Sequence, residues 1–287
     1  MSATTSESRK RKVEDSDSGA ESGSDSGSEE LDIVDVDFDF CDPSAGDFWA
    51  VKLSLAHYIE AEEYDAGSVA DLVCAQHGIG SVVKANGQVV GYISAVNLHQ
   101  DGVPGLESIK AYLKRKAIGA NAGNKTLHKV LDNTEMPAGL ILNYRLPNAP
   151  DQLATPLHAS LFQELAEVSL EEPEFGFDNY ILLTRSYRTR TAAATLDPDA
   201  PRAKRKKPST TGDIQPFYVE EELYFKHATA RYDFEVLDDS VEGKLTLDAV
   251  VDVVGHILII PADAIGALVA EMDALVSEAL EAQVEDF

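Results

Sequence analysis

Basic side chains are scarce. Lysine and arginine number 24 against 50 aspartates and glutamates in 287 residues, leaving a formal net charge of −26. That balance argues against a nucleic-acid backbone as the main partner, because phosphate contacts need a basic footprint. A field this negative keeps a protein soluble and speeds its encounters with cationic partners. Cysteine is scarcer still: Cys41 and Cys74 are the only two. Two thiols are too few for a disulfide scaffold or a zinc site. Apolar runs fall short of the ~18 residues that span a bilayer. The N-terminus is polar, so neither a membrane segment nor a secretory leader is expected.

Motifs of catalysis are missing as well. There is no Walker A loop and no His-Glu-x-x-His. The histidines (His57, His77, His99, His128, His158, His227 and His256) show no metal-ligand spacing. Cys74 and His77 stand three apart on an expected short helix, but no third group orients them, so a structural pair is the better reading. The acidic pairs Glu62-Glu63 and Asp238-Asp239 sit in polar segments and read as solvated.

What is present is enough apolar material, 44% of residues, for one large domain or two small ones. Residues 1–30 are mostly Ser, Gly, Asp and Glu, a composition that cannot offset its ordering entropy, and are expected to stay disordered. Within them Arg9, Lys10, Arg11 and Lys12 read as a nuclear-import signal. Ser18, Ser22 and Ser26 each have an acid three positions on, suiting an acid-directed kinase; an unmodified solvating tail is the alternative. Three phosphates would add roughly −5.

Order is expected from Leu31. Val34, Val36, Phe38 and Phe40 alternate with Asp35, Asp37 and Asp39, predicting a strand with one buried face and one carboxylate face. Two readings stand: an edge charged to resist pairing, or a docking rail for a cationic partner. Helices are predicted from Phe48 to Ile59 and over 67–76, then strands over 79–84 and 88–98 joined by Asn86-Gly87, a hairpin signal. A helix over 106–117 presents Lys110, Lys114, Arg115 and Lys116 outward, the one basic patch of the folded part.

The centre of the chain is Met136–Glu167. A short apolar strand over 138–143 leads through Pro147, Pro150 and Pro156 to a helix striped by Leu153, Leu157, Leu161 and Leu165. A further strand is expected over 179–185. Residues 188–213, with Arg202, Lys204, Arg205, Lys206 and Lys207, read as an exposed insertion carrying a second import-type cluster; a phosphate-binding loop or an internal counter-charge are alternatives. A helix over 216–227, a strand near 232–237, a doubly buried strand over 253–260 and a final helix opened by Pro261 complete the order. The last helix ends in Glu278, Glu281, Glu285 and Asp286, acids that oppose its macrodipole and offer a second acidic docking surface. This order predicts one α/β domain, residues 31–287, with a mixed β-sheet flanked by helices.

The block Asn133-Thr-Glu-Met-Pro-Ala-Gly-Leu-Ile-Leu-Asn-Tyr-Arg-Leu-Pro-Asn-Ala-Pro, with the helix ending Gln163-Glu164-Leu165, resembles the signature of the BCCIP family and its fungal Bcp-type relatives. The family wording is close to P-x-G-L-L-L-S-E-R; here Asn143 and Tyr144 depart from it and Arg145 is kept. The resemblance implies a fold like the GNAT acetyltransferases. It also implies a non-enzymatic nuclear chaperone or adaptor for a basic large-subunit ribosomal protein, with roles in ribosome biogenesis and nuclear export of client proteins, a client lipid kinase among them. In the animal branch it implies links to a cyclin-kinase inhibitor and to recombination repair. No cofactor is expected: the nearest match to a pyrophosphate-binding turn, Gln88-x-x-Gly91-x-Ile93, falls inside a predicted strand, and prolines occupy the central strand–helix junction. A protein of the nucleus, or one shuttling between nucleus and cytoplasm, that meets an import receptor, and neither nucleic acid nor membrane, is the resulting expectation. A cell-cycle or repair scaffold binding short peptides, and a degenerate acetyltransferase, are the alternatives.

Overall fold

The structure is a computed structural model that describes residues 36–59, 64–118, 124–189, 214–236 and 251–285. The cluster Arg9–Lys12, the serines Ser18, Ser22 and Ser26, Asp35, the cluster Arg202–Lys207 and Asp286 lie outside the described residues, as do Glu62-Glu63 and Asp238-Asp239.

Asn86 and Gly87 take positive φ, 51° and 76°, and turn β2 (Ser81–Ala85) tightly into β3 (Gln88–Asn97). Such a turn matches the right-handed twist of the strands it joins. Around this hairpin the sheet grows outward. β1 (Phe38–Cys41) pairs with β2, and β4 (Ala138–Arg145) pairs with β3, both antiparallel. β5 (Asn179–Thr189) then pairs with β4 in parallel, a connection that needs a crossover helix. β6 (Ile214–Pro216), β7 (Ala230–Glu235) and β8 (Val251–Pro261) complete an eight-stranded mixed sheet in the order β1-β2-β3-β4-β5-β8-β7, with β6 on β5.

Helices cover both faces. α1 (Phe48–Leu55), α2 (Ala66–Ala75), α3 (Pro104–Ile118) and α4 (Asn124–Asp132) pack on one side; α5 (Ala154–Val168), α6 (Glu221–His227) and α7 (Ile265–Glu285) on the other. The apolar runs of β4 and β8 explain the two cores. Leu140, Leu142, Ile257 and Ile259 point into the first; Ile141, Leu258 and Ile260 into the second, against Leu157, Leu161 and Leu165 of α5. Each such side chain contributes about 1.5–3 kcal/mol of burial.

Several expectations change. The helix expected over 216–227 is shorter: Pro216 ends β6 (Ile214–Pro216) in the sheet, and helix starts only at Glu221. A proline lacks the N–H that a helix interior needs and is tolerated on a sheet edge. Pro261 closes β8 with extended backbone, and a short 3-10 turn, Ala262–Ala264, precedes α7. β5 continues to Thr189, past the expected start of the insertion at 188. α2 ends at Ala75, so Cys74 and His77 share no helix, and burial pushes the Cys74 thiol up to about 11, away from a thiolate. The basic face of α3 is also engaged. Lys110 pairs with Glu107, Lys114 with Asp132, and Lys116 lies over the rings of Tyr112 and Phe234.

Candidate functional site

Two regions carry the chemistry: an acidic strand at the sheet margin and a buried polar band at its centre. Asp39, in β1, is exposed, as the period of two predicts; Asp37 is exposed too but precedes the strand, which starts at Phe38. The opposite face is not buried as expected. Val36 and Phe40 remain 41% and 46% exposed, because β1 is the last strand at this margin, while α5 lies over β2 and β3. Asp39 stands opposite Lys84, whose ammonium sits 2.8 Å from the Asp47 carboxylate at the start of α1. Lys84 is thus shared: its nearest carboxylate is Asp47 and the charge of Asp39 reaches it as well, so the group of Asp39, Asp47 and Lys84 stays net negative. The other acidic set lies elsewhere: Glu278 and Glu281 are exposed on α7, with Glu285 its last residue.

The band begins where β4 and β5 part. Their parallel pairing runs only from Ala138–Asn179 to Ile141–Leu182; beyond it β4 stays with β3 and β5 with β8. The gap is filled by the segment entering α6. From β4, Arg145 donates to both oxygens of Glu220 (2.9 and 3.2 Å) and to Asp151 (2.8 Å), and Asn143 donates to Glu220 (3.1 Å). Arg145 is 2% exposed and Glu220 0%. The Tyr218 ring lies 5.0 Å from the guanidinium, and its hydroxyl bonds the backbone N–H and C=O of Arg145. A two-pronged pair of this kind fixes orientation, and removing one partner strands a buried charge.

From β5, the Thr184 hydroxyl donates to Glu221 at 2.5 Å. The second oxygen of Glu221 has no partner among the described residues, and burial pushes this carboxyl up to about 8. Glu221 is therefore mainly protonated at neutral pH. His158, fully buried, donates from Nδ1 to the Ala154 carbonyl at 2.8 Å, and burial lowers its pKa, keeping it neutral. Its Nε2, like the hydroxyl of the neighbouring Tyr224, finds no partner among the described residues.

The band continues across β8 to β7. Ser186 lies 2.6 Å from His256 Nε2, and His256 Nδ1 lies 2.7 Å from Asp233. With Nδ1–H donating to the aspartate, Nε2 accepts from the serine. Asp233, also bound by Arg231, is held down to about 2; its burial opposes the shift, and the bonds from His256 and Arg231 outweigh it. Serine, histidine and aspartate in this relay are the parts of an activated nucleophile. Here Ser186 and His256 are 0% exposed, and Phe225 packs edge-on against the imidazole at 4.9 Å. Buried in this way, the relay cross-links β5, β8 and β7.

Sequence reasoning singled out Arg145 but none of its partners. The available signal was isolated polar residues at inward positions of apolar strands: Thr184 and Ser186 in β5, His256 in β8. Two further features lie outside the band. A cavity of about 330 Å³ is lined by His99, Lys110 and Asp132, and α1 exposes Trp49 and Leu53. Among the described residues no helix is long and apolar enough to cross a membrane.

Comparison with known proteins gives a consistent result. The BCCIP family model matches residues 33–230. Protein bcp1 of Aspergillus oryzae is 29% identical over 222 residues, 75% of this chain and 76% of that one. BCP1 of Gibberella zeae is 31% identical over 217 residues, 71% and 72% of the two chains. The BCCIP homolog of Arabidopsis thaliana is 30% identical over 168 residues, 55% of this chain and 51% of that one. The crystal structure of BCP1 from Saccharomyces cerevisiae matches with a TM-score of 0.57 at 19% identity, over 91% of this chain and 98% of that one, and shares the mixed α/β fold.

Proposed function

The chain belongs to the BCCIP family, and on that premise we propose that it is a non-enzymatic nuclear chaperone or adaptor for a basic client protein. The observation that carries this reading is the exposed pair Asp37 and Asp39, just before and within the marginal strand β1, in a chain of net charge −26. Two residues of chain set them at most ~7 Å apart along the backbone. That is inside the ~8 Å screening length at physiological salt, so they act together on a lysine- or arginine-rich segment. A large-subunit ribosomal protein has that chemistry. Ribosome biogenesis, nuclear export and a client lipid kinase are the roles the family resemblance implies. Arg9–Lys12 and Arg202–Lys207 would serve an import receptor.

The acetyltransferase-like label for the fold is supported by the element order and by the mixed sheet with helices on both faces. An acylating activity has no such support: where β4 and β5 part, Glu220 is held by Arg145 and Glu221 by Thr184. The peptide-binding scaffold remains a second reading, favoured by the exposed Trp49 and Leu53 of α1.

The test is to purify native complexes at low and moderate salt from cells carrying Asp35, Asp37 and Asp39 changed to asparagine. A basic protein is expected to bind the parent stoichiometrically and in a salt-sensitive way. The variant should associate more slowly with a shallower salt dependence, since exposed charges govern encounter more than residence. Neutralising Glu278, Glu281, Glu285 and Asp286 is the comparison. If only that set matters, β1 is merely protected by its charge; if neither does, the scaffold reading takes first place.

A further inference from the structure

We propose that the open edge of β1 accepts an extended segment of a partner protein, adding a strand in which basic and apolar residues alternate. This rests on the client reading above and specifies how a client is held. β1 stands first in the sheet and pairs only with β2 among the described residues. In an antiparallel ribbon, half of a strand's N–H and C=O groups aim away from its partner and are available to a newcomer.

The side chains then dictate what the newcomer looks like. Asp39 lies opposite Lys84, and Lys84 reaches Asp47 at the start of α1, so Asp39 stands on the face that α1 and α2 cover, with the exposed Asp37 just ahead of the strand. Phe40 lies opposite Val83, a residue of the core under α5, so Phe38 and Phe40 stand on the other face. On that second face the core is unfinished: Phe40 and Val36 are nearly half exposed. A strand beside β1 continues both faces, with its own side chains ~5 Å from those of β1 and alternating in step. One set meets carboxylates and the other meets apolar rings and methyls. The complementary pattern is therefore a cation at every second position and an apolar residue between.

The same acids select against the commonest wrong occupant. Two copies of this chain pairing antiparallel through β1 would set aspartate against aspartate, and like charges directly opposed across strands are destabilising. Repulsion of self together with attraction of a basic strand is how specificity is usually obtained. Lys84 does not cancel the attraction, because it stands between two carboxylates, Asp47 at 2.8 Å and Asp39 opposite it, and the group stays net negative.

The experiment uses the full chain and a short peptide alternating lysine and valine. Two controls are a peptide of the same composition with the lysines in one block and the alternating peptide N-methylated at every second residue. Calorimetry gives affinity, and amide hydrogen exchange gives location. The alternating peptide is expected to slow exchange across residues 36–41 and to bind about tenfold more tightly than the blocked one, as register-matched pairing requires. N-methylation on the pairing edge should remove the protection, and Phe40→Ser should weaken binding several-fold. Equal binding of all three peptides, or protection only outside 36–41, would overturn strand addition while leaving a basic client in place. Failure of the peptides and of basic proteins alike at low salt would overturn the client reading itself. Protection of 36–41 that rises with protein concentration alone would assign the edge to a second copy and overturn the proposal.

Discussion

Glu220 is fully buried and meets Arg145 through both its oxygens, whereas Asp39 stands in water opposite a lysine shared with Asp47. The residue chemistry is nearly the same. The surroundings give it opposite consequences. In the interior a carboxylate is tolerated only when a donor meets it, as Glu220 shows, or when it gives up its charge, as Glu221 does. At the margin of the sheet no donor is required, and the charge acts outward over a screening length.

The contrast breaks most sharply at Arg145. Replacing it by methionine leaves Glu220 without its principal donor, and a loss of roughly 3–5 kcal/mol is expected in denaturant unfolding. Adding Glu220→Leu should restore much of that loss. A cost of the single change below about 1 kcal/mol would show that the pair is not what holds the segment in place.

Glu221 gives the next effect, and its sign is opposite to that of an ordinary carboxylate. Its folded-state pKa is about 8 against 4.5 for an ordinary glutamate. The native state therefore keeps a proton that the unfolded chain has lost. Its contribution is fully present below pH 4.5 and is lost as pH rises through about 8. Glu221→Gln keeps the shape without the charge, so the variant should gain stability over the parent above pH 8, by a few kcal/mol in order of magnitude. Thermal unfolding across that window decides it; parallel curves for the two proteins would mean that Glu221 is already ionised.

The smallest effect belongs to the margin. Asparagine at Asp37 and Asp39 is expected to alter unfolding free energy by no more than about 0.5 kcal/mol, as for most surface changes. A larger loss would place these acids in structure rather than in encounter.

Much of the frame was legible because its signals are local. Leu153, Leu157, Leu161 and Leu165 mark α5, Asn86-Gly87 marks the hairpin, and the apolar run around Ile257–Ile260 marks β8. The alternation around Phe38 and Asp39 gave the strand and its acidic face but not its place at the margin, which leaves Phe40 half open. The band was illegible for a different reason. Arg145 and Glu220 are 75 positions apart, and Ser186 and His256 are 70. No periodicity links residues at such separations, and Glu220-Glu221 sits among acids and aromatics that look like a solvated helix. Only Arg145 stood out, through the family wording.

β8 has one more consequence, for the order of events during synthesis. Among the described residues it comes after every other strand in the chain, yet it lies between β5 and β7 rather than at an edge. β1 to β4 form a meander of near neighbours and can close early, whereas β5 must wait for a partner about 70 residues downstream. Pairings between distant segments form slowly, because the intervening loop has to be closed first. A ribosome that has released the chain only as far as β7 therefore carries a half-sheet in which Ser186 has no histidine to meet and one side of β5 is bare. The nascent protein depends on β8, made after the rest of the sheet, to cover that side.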